Sequence, residues 1–433
     1  MNSKITIFIT IIYRLLLDYN YVEQISPFFA YANFTYNYNF QNYLLSWLIL
    51  IVTLPLFTTF LKNLNLSSSQ GGIILYLIRF IPFTSLVAFK DLSITFIEAM
   101  FVFWVLLFIL LNKFPTINIG FIKVKSNKFI LSIFIILSST VIFISGYYTH
   151  FRINLDLLNV YDLRLEARAF NLPLLLQYLW PAASNILPIM MVYFFLKKKT
   201  TLFLLIAFII LLNFSINGSK STLFKMLLCV GLIFINLNNI LKWIIYGLPI
   251  LCGSCILIDY ATHSFIVSGF ITRRGLFIPT LLDSLYYDYI SKTGPVFFDS
   301  TTLTKLPFII GDTYFDYEEM RCNNGLFTDA FTNMGLLGCI IFPLLITILF
   351  KLCNPIFKNV NHAISVFSTF LICITLNSSS LTTALLTHGI LLLILTCYFM
   401  ASYNITNHKS NISVSNYNPN KNLTKHIPQS CNL

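Results

Sequence analysis

The sequence predicts an all-α integral membrane protein of about twelve transmembrane helices, with one large external loop that contains short interfacial helices. Three observations predict it. The chain of 433 residues is 57% hydrophobic and 10% charged, whereas a soluble domain averages about a quarter charged residues. Apolar runs of roughly 20 residues, enough to cross ~30 Å of hydrocarbon, recur along it. The runs are continuous rather than alternating, which selects helices over a β-barrel, the other structure that satisfies its own backbone in lipid.

In chain order, the expected spans are residues 4–19, 43–61, 71–89, 93–112, 128–146, 173–196, 201–217, 221–237, 241–258, 331–350, 363–377 and 383–401. The first and third carry Arg14 and Arg79 inside them. No small-residue cleavage site follows the apolar stretch after Lys4, so the first helix is expected to stay as a signal anchor. The spans divide the chain into helices over 1–258 with a smaller loop at 147–172, a large loop at 259–330, the last helices over 331–401, and a polar, Asn-rich tail at 402–433, expected to be disordered. Cys252 and Cys255 form a CxxC within an apolar run, where packing is the expected role.

The connections fall into two sets. One carries Lys62, Lys113, Lys123, Lys125, Lys128, Lys197, Lys198, Lys199, Lys242, Lys351 and Lys358 with no acid and no arginine. The positive-inside rule makes this side cytoplasmic, together with both termini. The net charge of +12 is then largely topology, plus attraction to anionic lipid headgroups; it does not suggest nucleic acid. The other set holds Arg79, Arg152, Arg164, Arg168, Arg273, Arg274 and Arg321 with nearly all the acids. Arginine where cations are disfavoured needs another cause, and its planar fork binds phosphate in bidentate fashion. Loop salt bridges with neighbouring acids are the expectation for about half of them.

The chemistry is expected in the two longer external segments. Apolar residues at 278, 281, 282, 285 and 289 form a helical stripe with Asp283, Tyr287 and Asp288 on the other face, which reads as a helix lying on the outer membrane surface. Tyr286, Tyr287 and Tyr289 suit the headgroup zone, or stacking against sugars. Asn323, Asn324 and Asp329 are expected at the mouth of the bundle, as site residues or as helix caps. Lys220, in the turn Asn217-Gly-Ser-Lys-Ser, suits a phosphate contact. Glu98 reads as an intramembrane carboxylate, a candidate functional group or the partner of a basic residue such as Arg79 or Lys90. His150 and His263 are external; each is a candidate base or a plain surface residue.

Arg273-Arg274-Gly-Leu-Phe-Ile-Pro, followed by Leu-Tyr-Tyr-Asp-Tyr, resembles the start of the large external loop in the bacterial O-antigen polymerases of the Wzy type. Asn324-Gly-Leu-Phe-Thr-Asp-Ala-Phe-Thr-Asn-Met-Gly resembles that loop's end, and Tyr161-Asp-Leu-Arg164 and Gly218-Ser-Lys-Ser resemble smaller signatures. The resemblance implies a membrane-embedded glycosyltransferase that joins undecaprenyl-diphosphate-linked oligosaccharides at the periplasmic face of a Gram-negative inner membrane. It implies no metal, cofactor or nucleotide sugar, with membrane lipid and a chain-length regulator as candidate partners. In such a reaction Arg273, Arg274 and Arg321 suit stabilisation of the leaving diphosphate. Arg164, Lys220, Tyr161, Asn323, Asn324 and Tyr287 suit substrate binding. Asp329, with His150 behind it, is the candidate acid or base, and the base stays open. A flippase for the lipid-linked unit and an O-antigen ligase are the rival readings.

Overall fold

The structure, a computed structural model, describes residues 3–156, 160–234 and 240–415, excepting the side chains of Tyr161 and of residues 232–234 and 407–415. Among the described residues it is helical throughout, with no strand. The helices are α1 (Ser3–Asn20), α2 (Phe40–Phe60), α3 (Ser67–Phe89), α4 (Ile94–Lys113), α5 (Lys128–Thr149), α6 (Val160–Arg168), α7 (Leu174–Leu196), α8 (Thr200–Asn217), α9 (Lys220–Phe234) and α10 (Ile240–Ala261). They continue as α11 (Ile278–Thr293), α12 (Ser300–Phe315), α13 (Phe327–Lys358), α14 (His362–Ser378), α15 (Leu381–Leu385) and α16 (Ile390–Ser415).

Among the described residues, nine helical segments are long and apolar enough to cross a membrane, rather than about twelve. Of the other expected spans, 363–377 and 383–401 correspond to shorter apolar helices, and 221–237 runs onto residues outside those described. The last span begins at Ile390, because the hydroxyl-rich run from Ser378 to Thr383 makes a turn and the short helix α15 instead. α16 continues to Ser415, into the region expected as a disordered tail, while residues 416–433 of that tail lie outside the described residues.

α3 is the hub, with its whole apolar window buried in protein. Helices in lipid gain little from apolar contact, so small residues and polar glue decide their packing. Gly71 and Gly72 take the rings of Phe350 and Phe60 where a Cβ would stand. Ser67 Oγ donates to the Phe350 carbonyl and to Asn354 Oδ1 (both 2.9 Å), and Gln70 Oε1 accepts from Thr369 Oγ1 (3.0 Å). The interior arginines that marked the first and third spans are both partnered. Arg14 pairs with Asp18 one turn on and donates to Thr84 Oγ1 (2.8 Å) and Ser46 Oγ (3.1 Å).

The segment 259–330 contains helices, as expected, and they are docked on the bundle. α11 packs against α13 and α3, so protein covers the face expected to be polar. Asp283, expected on its polar face, is fully buried against Arg79. Glu98 is exposed on the second turn of α4, away from Arg79, and Lys90 donates to the Asn33 carbonyl instead. The two charge sets occupy opposite helix ends. Lys197, Lys358, Asn361 and Tyr403, from the C-terminal ends of α7 and α13 and from α14 and α16, line one cavity. The opposite ends of α13 and α14 bring Asp329 and Ser378 together around another.

Candidate functional site

Building the site starts at Asp259, whose buried carboxylate accepts the backbone N–H groups of Val267 (3.0 Å) and Ser268 (2.7 Å). That cap orients a π-helical stretch, Gly269–Phe277, which carries Arg273 and Arg274. Wide helical turns of this kind recur at functional sites. Arg273 is half-buried, its guanidinium carbon 3.9 Å from the centroid of the Phe29 ring. Arg321 stacks in the same way on Phe308 (4.8 Å). Arg273, Arg274, Arg321 and Asn323 line one cavity of about 370 Å³.

These arginines are held by aromatic faces, not by carboxylates. Among the described residues, Arg273, Arg274, Arg321 and Lys220 form no salt bridge, and the buried Nε of Arg273 has no hydrogen-bond partner. Burial and the charge of Arg274 hold the Arg273 guanidinium below its ordinary value. Burial and the charge of Arg168 do the same to Arg321. Phe270 joins two cations, with Arg274 at 5.3 Å and Lys220 at 4.8 Å from its ring centroid. Arg164 reaches the same neighbourhood, donating to the Gly218 carbonyl (3.5 Å) two residues before Lys220. Arg273, Arg274, Arg321 and Lys220, without a salt bridge among the described residues, suit a multiply charged anion.

Asn323 also lines a second cavity, of about 360 Å³, with Asn324, Thr328, Asp329, Ser379 and His388. Beneath it lies a buried network. Arg79 donates to Asn377 Oδ1 (2.8 Å), Asp283 Oδ1 (2.8 Å) and Asn324 Oδ1 (3.1 Å). Asp283 Oδ1 also accepts from Thr328 Oγ1 (2.7 Å) and Asn324 Nδ2 (3.0 Å). Burial pushes the Asp283 carboxyl up and the Arg79 charge pulls it back down. Asn324 therefore faces inward and secures the floor, while Asn323 is exposed. Asp329 sits on the first turn of α13, its Oδ2 accepting the backbone N–H of Leu381 (2.7 Å) and its Oδ1 accepting from Asn333 Nδ2 (2.9 Å). The carboxylate thus caps α15 from outside that helix while bordering the cavity.

The structure brings Arg273, Arg274, Arg321, Asn323, Asn324 and Asp329 to two adjoining cavities, with Lys220 and Arg164 beside them. It does not bring His150 there: that residue is exposed at the end of α5, in a left-handed conformation (φ 48°). Tyr287 packs against Phe331 (4.5 Å) and Phe96 (5.4 Å) and borders a separate cavity with Asp288 and Tyr314. The Tyr161 side chain lies outside the described residues. Two neighbours escaped the sequence reading. His388 and Lys225 sit inside apolar stretches, where a hydropathy window absorbs single polar residues, and the structure turns both into polar cavities. Among the described residues, no three His, Cys, Asp or Glu side chains are grouped to hold a metal ion. No family model, no curated protein and no solved structure matches this chain, so its function is argued from the site itself.

Proposed function

We propose that the chain is an O-antigen polymerase, transferring a growing glycan from its lipid diphosphate to a hydroxyl of a new lipid-linked repeat unit. The observation that carries this reading is the cavity of arginines with no carboxylate partner among the described residues, joined at Asn323 to a cavity bordered by Asp329. In the transfer, the acceptor oxygen bonds to the anomeric carbon of the donor. The carbon–oxygen bond to the diphosphate breaks, and the diphosphate leaves with the electron pair. Arg273, Arg274 and Arg321 stabilise that charge as it develops. Asp329 is the group proposed to take the acceptor's proton, with His388 bordering the same cavity. Both substrates keep their tails in the bilayer, which suits a site at one end of an apolar bundle. In this reading that end faces the periplasm and the lysine end faces the cytoplasm.

The test is an electrophoretic profile of lipopolysaccharide from a strain lacking the chain. Cores carrying a single repeat unit are the expected result, since export and ligation proceed while polymerisation stops. Cores with no unit at all would replace this reading with a flippase or a ligase. An Arg273→Ala, Arg274→Ala double variant is expected to reproduce the single-unit profile while staying in the membrane.

A further inference from the structure

Beyond His388 lies a third cavity, of about 290 Å³, with a cation that the transfer described above leaves unused. Lys225 borders it from α9. Its only hydrogen bond among the described residues is to Asn185 Oδ1 (2.6 Å), a neutral amide, and it forms no salt bridge there. Asn185 is buried, and its Nδ2 donates to the His388 carbonyl (2.8 Å), so the amide oxygen is fixed toward the ammonium. The other walls supply Ser184, Asn217, Ser219, Ser221 and Ser378, which are amides and hydroxyls rather than acids. A part-buried ammonium with no counter-charge among the described residues is costly within an apolar bundle, which makes such a group a candidate ligand contact. Hydroxyl and amide donors converging beside it fit phosphate oxygens, and Trp180, Pro181 and Ile374 complete the lining.

The arrangement of the three cavities narrows the ligand further. The Lys225 cavity meets the Asp329 cavity at Ser378, Ser379 and His388. The Asp329 cavity meets the arginine cavity at Asn323. One carboxylate therefore lies between two cationic pockets. A transfer between two lipid-linked units involves two diphosphates: one is released, and the other stays on the acceptor. We infer that the cavity around Lys225 and Asn185 is a second diphosphate-binding site, holding the headgroup of the acceptor lipid while the arginine cavity holds that of the donor. This rests on the polymerase reading.

The experiment uses the full chain in nanodiscs of neutral phosphatidylcholine, titrated with farnesyl diphosphate, with farnesol and inorganic pyrophosphate as separate probes. Two equivalents of farnesyl diphosphate are expected for the wild type. Lys225→Gln is expected to weaken one of them roughly ten- to hundredfold, as when a charged hydrogen bond is lost. Arg273→Ala with Arg274→Ala is expected to weaken the other, and Lys225→Arg to keep both. Asn185→Asp provides a second variant, because it supplies the missing counter-charge in place and so must compete with the ligand as strongly as Lys225→Gln removes its partner. Pyrophosphate is expected to compete at both sites; competition only at the arginine site would overturn the second one. Unchanged binding in Lys225→Gln and Asn185→Asp, alongside loss of one equivalent in the arginine variant, would overturn the inference and leave the polymerase reading standing. Equal binding of farnesol, or no change in any variant, would overturn both.

Discussion

Arg79 and Asp283 meet across 204 positions of sequence, and neither side chain retains any exposure to solvent. Breaking a buried pair from one side leaves an uncompensated charge and costs about 3–5 kcal/mol. Arg79→Ala and Asp283→Ala are therefore each expected to lower the melting temperature and the level of protein in the membrane. Arg273→Ala is expected to change neither, because that guanidinium is half-buried and stacked rather than paired. An equal loss of melting temperature in all three variants would mean that the arginine cavity is a structural feature. His388 supplies a pH signature. Burial, then the charge of Lys225, holds its imidazole below the ordinary value of 6.5. The unfolded chain thus binds more protons at this residue than the folded one, so its contribution to stability declines as pH falls from about 6.5 through the lowered value. A melting temperature that drops between about pH 7.5 and about pH 5.5, and drops less in His388→Asn, is the expected result. An identical slope in the two proteins would place the imidazole in open water.

At the scale of elements, the joint between α12 and α13 carries much of the geometry. A Cβ on Gly325 would stand 2.1 Å from the Leu376 carbonyl oxygen and 2.2 Å from that of Ser379. The glycine lets Asn323 and Asn324 lie against the end of α14, where Asn377 completes the Arg79 network. Gly325→Ala forces these backbones apart, at a cost of about 1–3 kcal/mol for overpacking of this kind. Thermal melting with polymer length measured in parallel is expected to show both reduced. Gly275→Ala is the control, since a Cβ there meets nothing within 4 Å. The same elements show what a sequence can carry. The apolar runs were legible because lipid imposes length and composition on every span. Arg273 and Arg274 were legible because arginine beside acids, in a long connection expected to be external, has no topological reason to be there. The stripe of α11 was legible too, but which partner would cover its other face was not. Asp283 reads as wet until Arg79 is placed beside it, and that requires tertiary structure. His388 and Lys225 were hidden for the reverse reason, one polar residue among many apolar ones.

At the scale of the molecule, one helix links the two kinds of charge. α13 begins beside Asp329 and ends at Lys358 after 32 residues, with a break at Gly335 (φ 58°, ψ −140°). At 1.5 Å per residue the stretch after the break, 336–358, extends over roughly 34 Å, enough to cross a hydrocarbon layer of ~30 Å. If the bundle is inserted along this stretch, its two ends stand in the two interfacial zones, and the lysine cavity and the arginine cavity face opposite compartments. The positive-inside rule then gives the direction. Single cysteines provide the measurement, because all the described native cysteines are buried, and Cys431, outside the described residues, can be changed to serine. Lys198→Cys and Ser300→Cys are both at exposed positions, one in the turn after α7 and one at the rim of the Asp329 cavity. A membrane-impermeant maleimide is expected to label Ser300→Cys in cells with a permeable outer membrane, and Lys198→Cys only once the inner membrane is opened. If the proposed transfer holds, the adduct at position 300 is expected to shorten the polymer as well, since it narrows the cavity through which an acceptor would reach Asp329. Labelling in the opposite order would put the arginines on the cytoplasmic side. A lipid-linked unit would then meet them before export rather than after it, and a polymerase acting on exported units could not be built on this site.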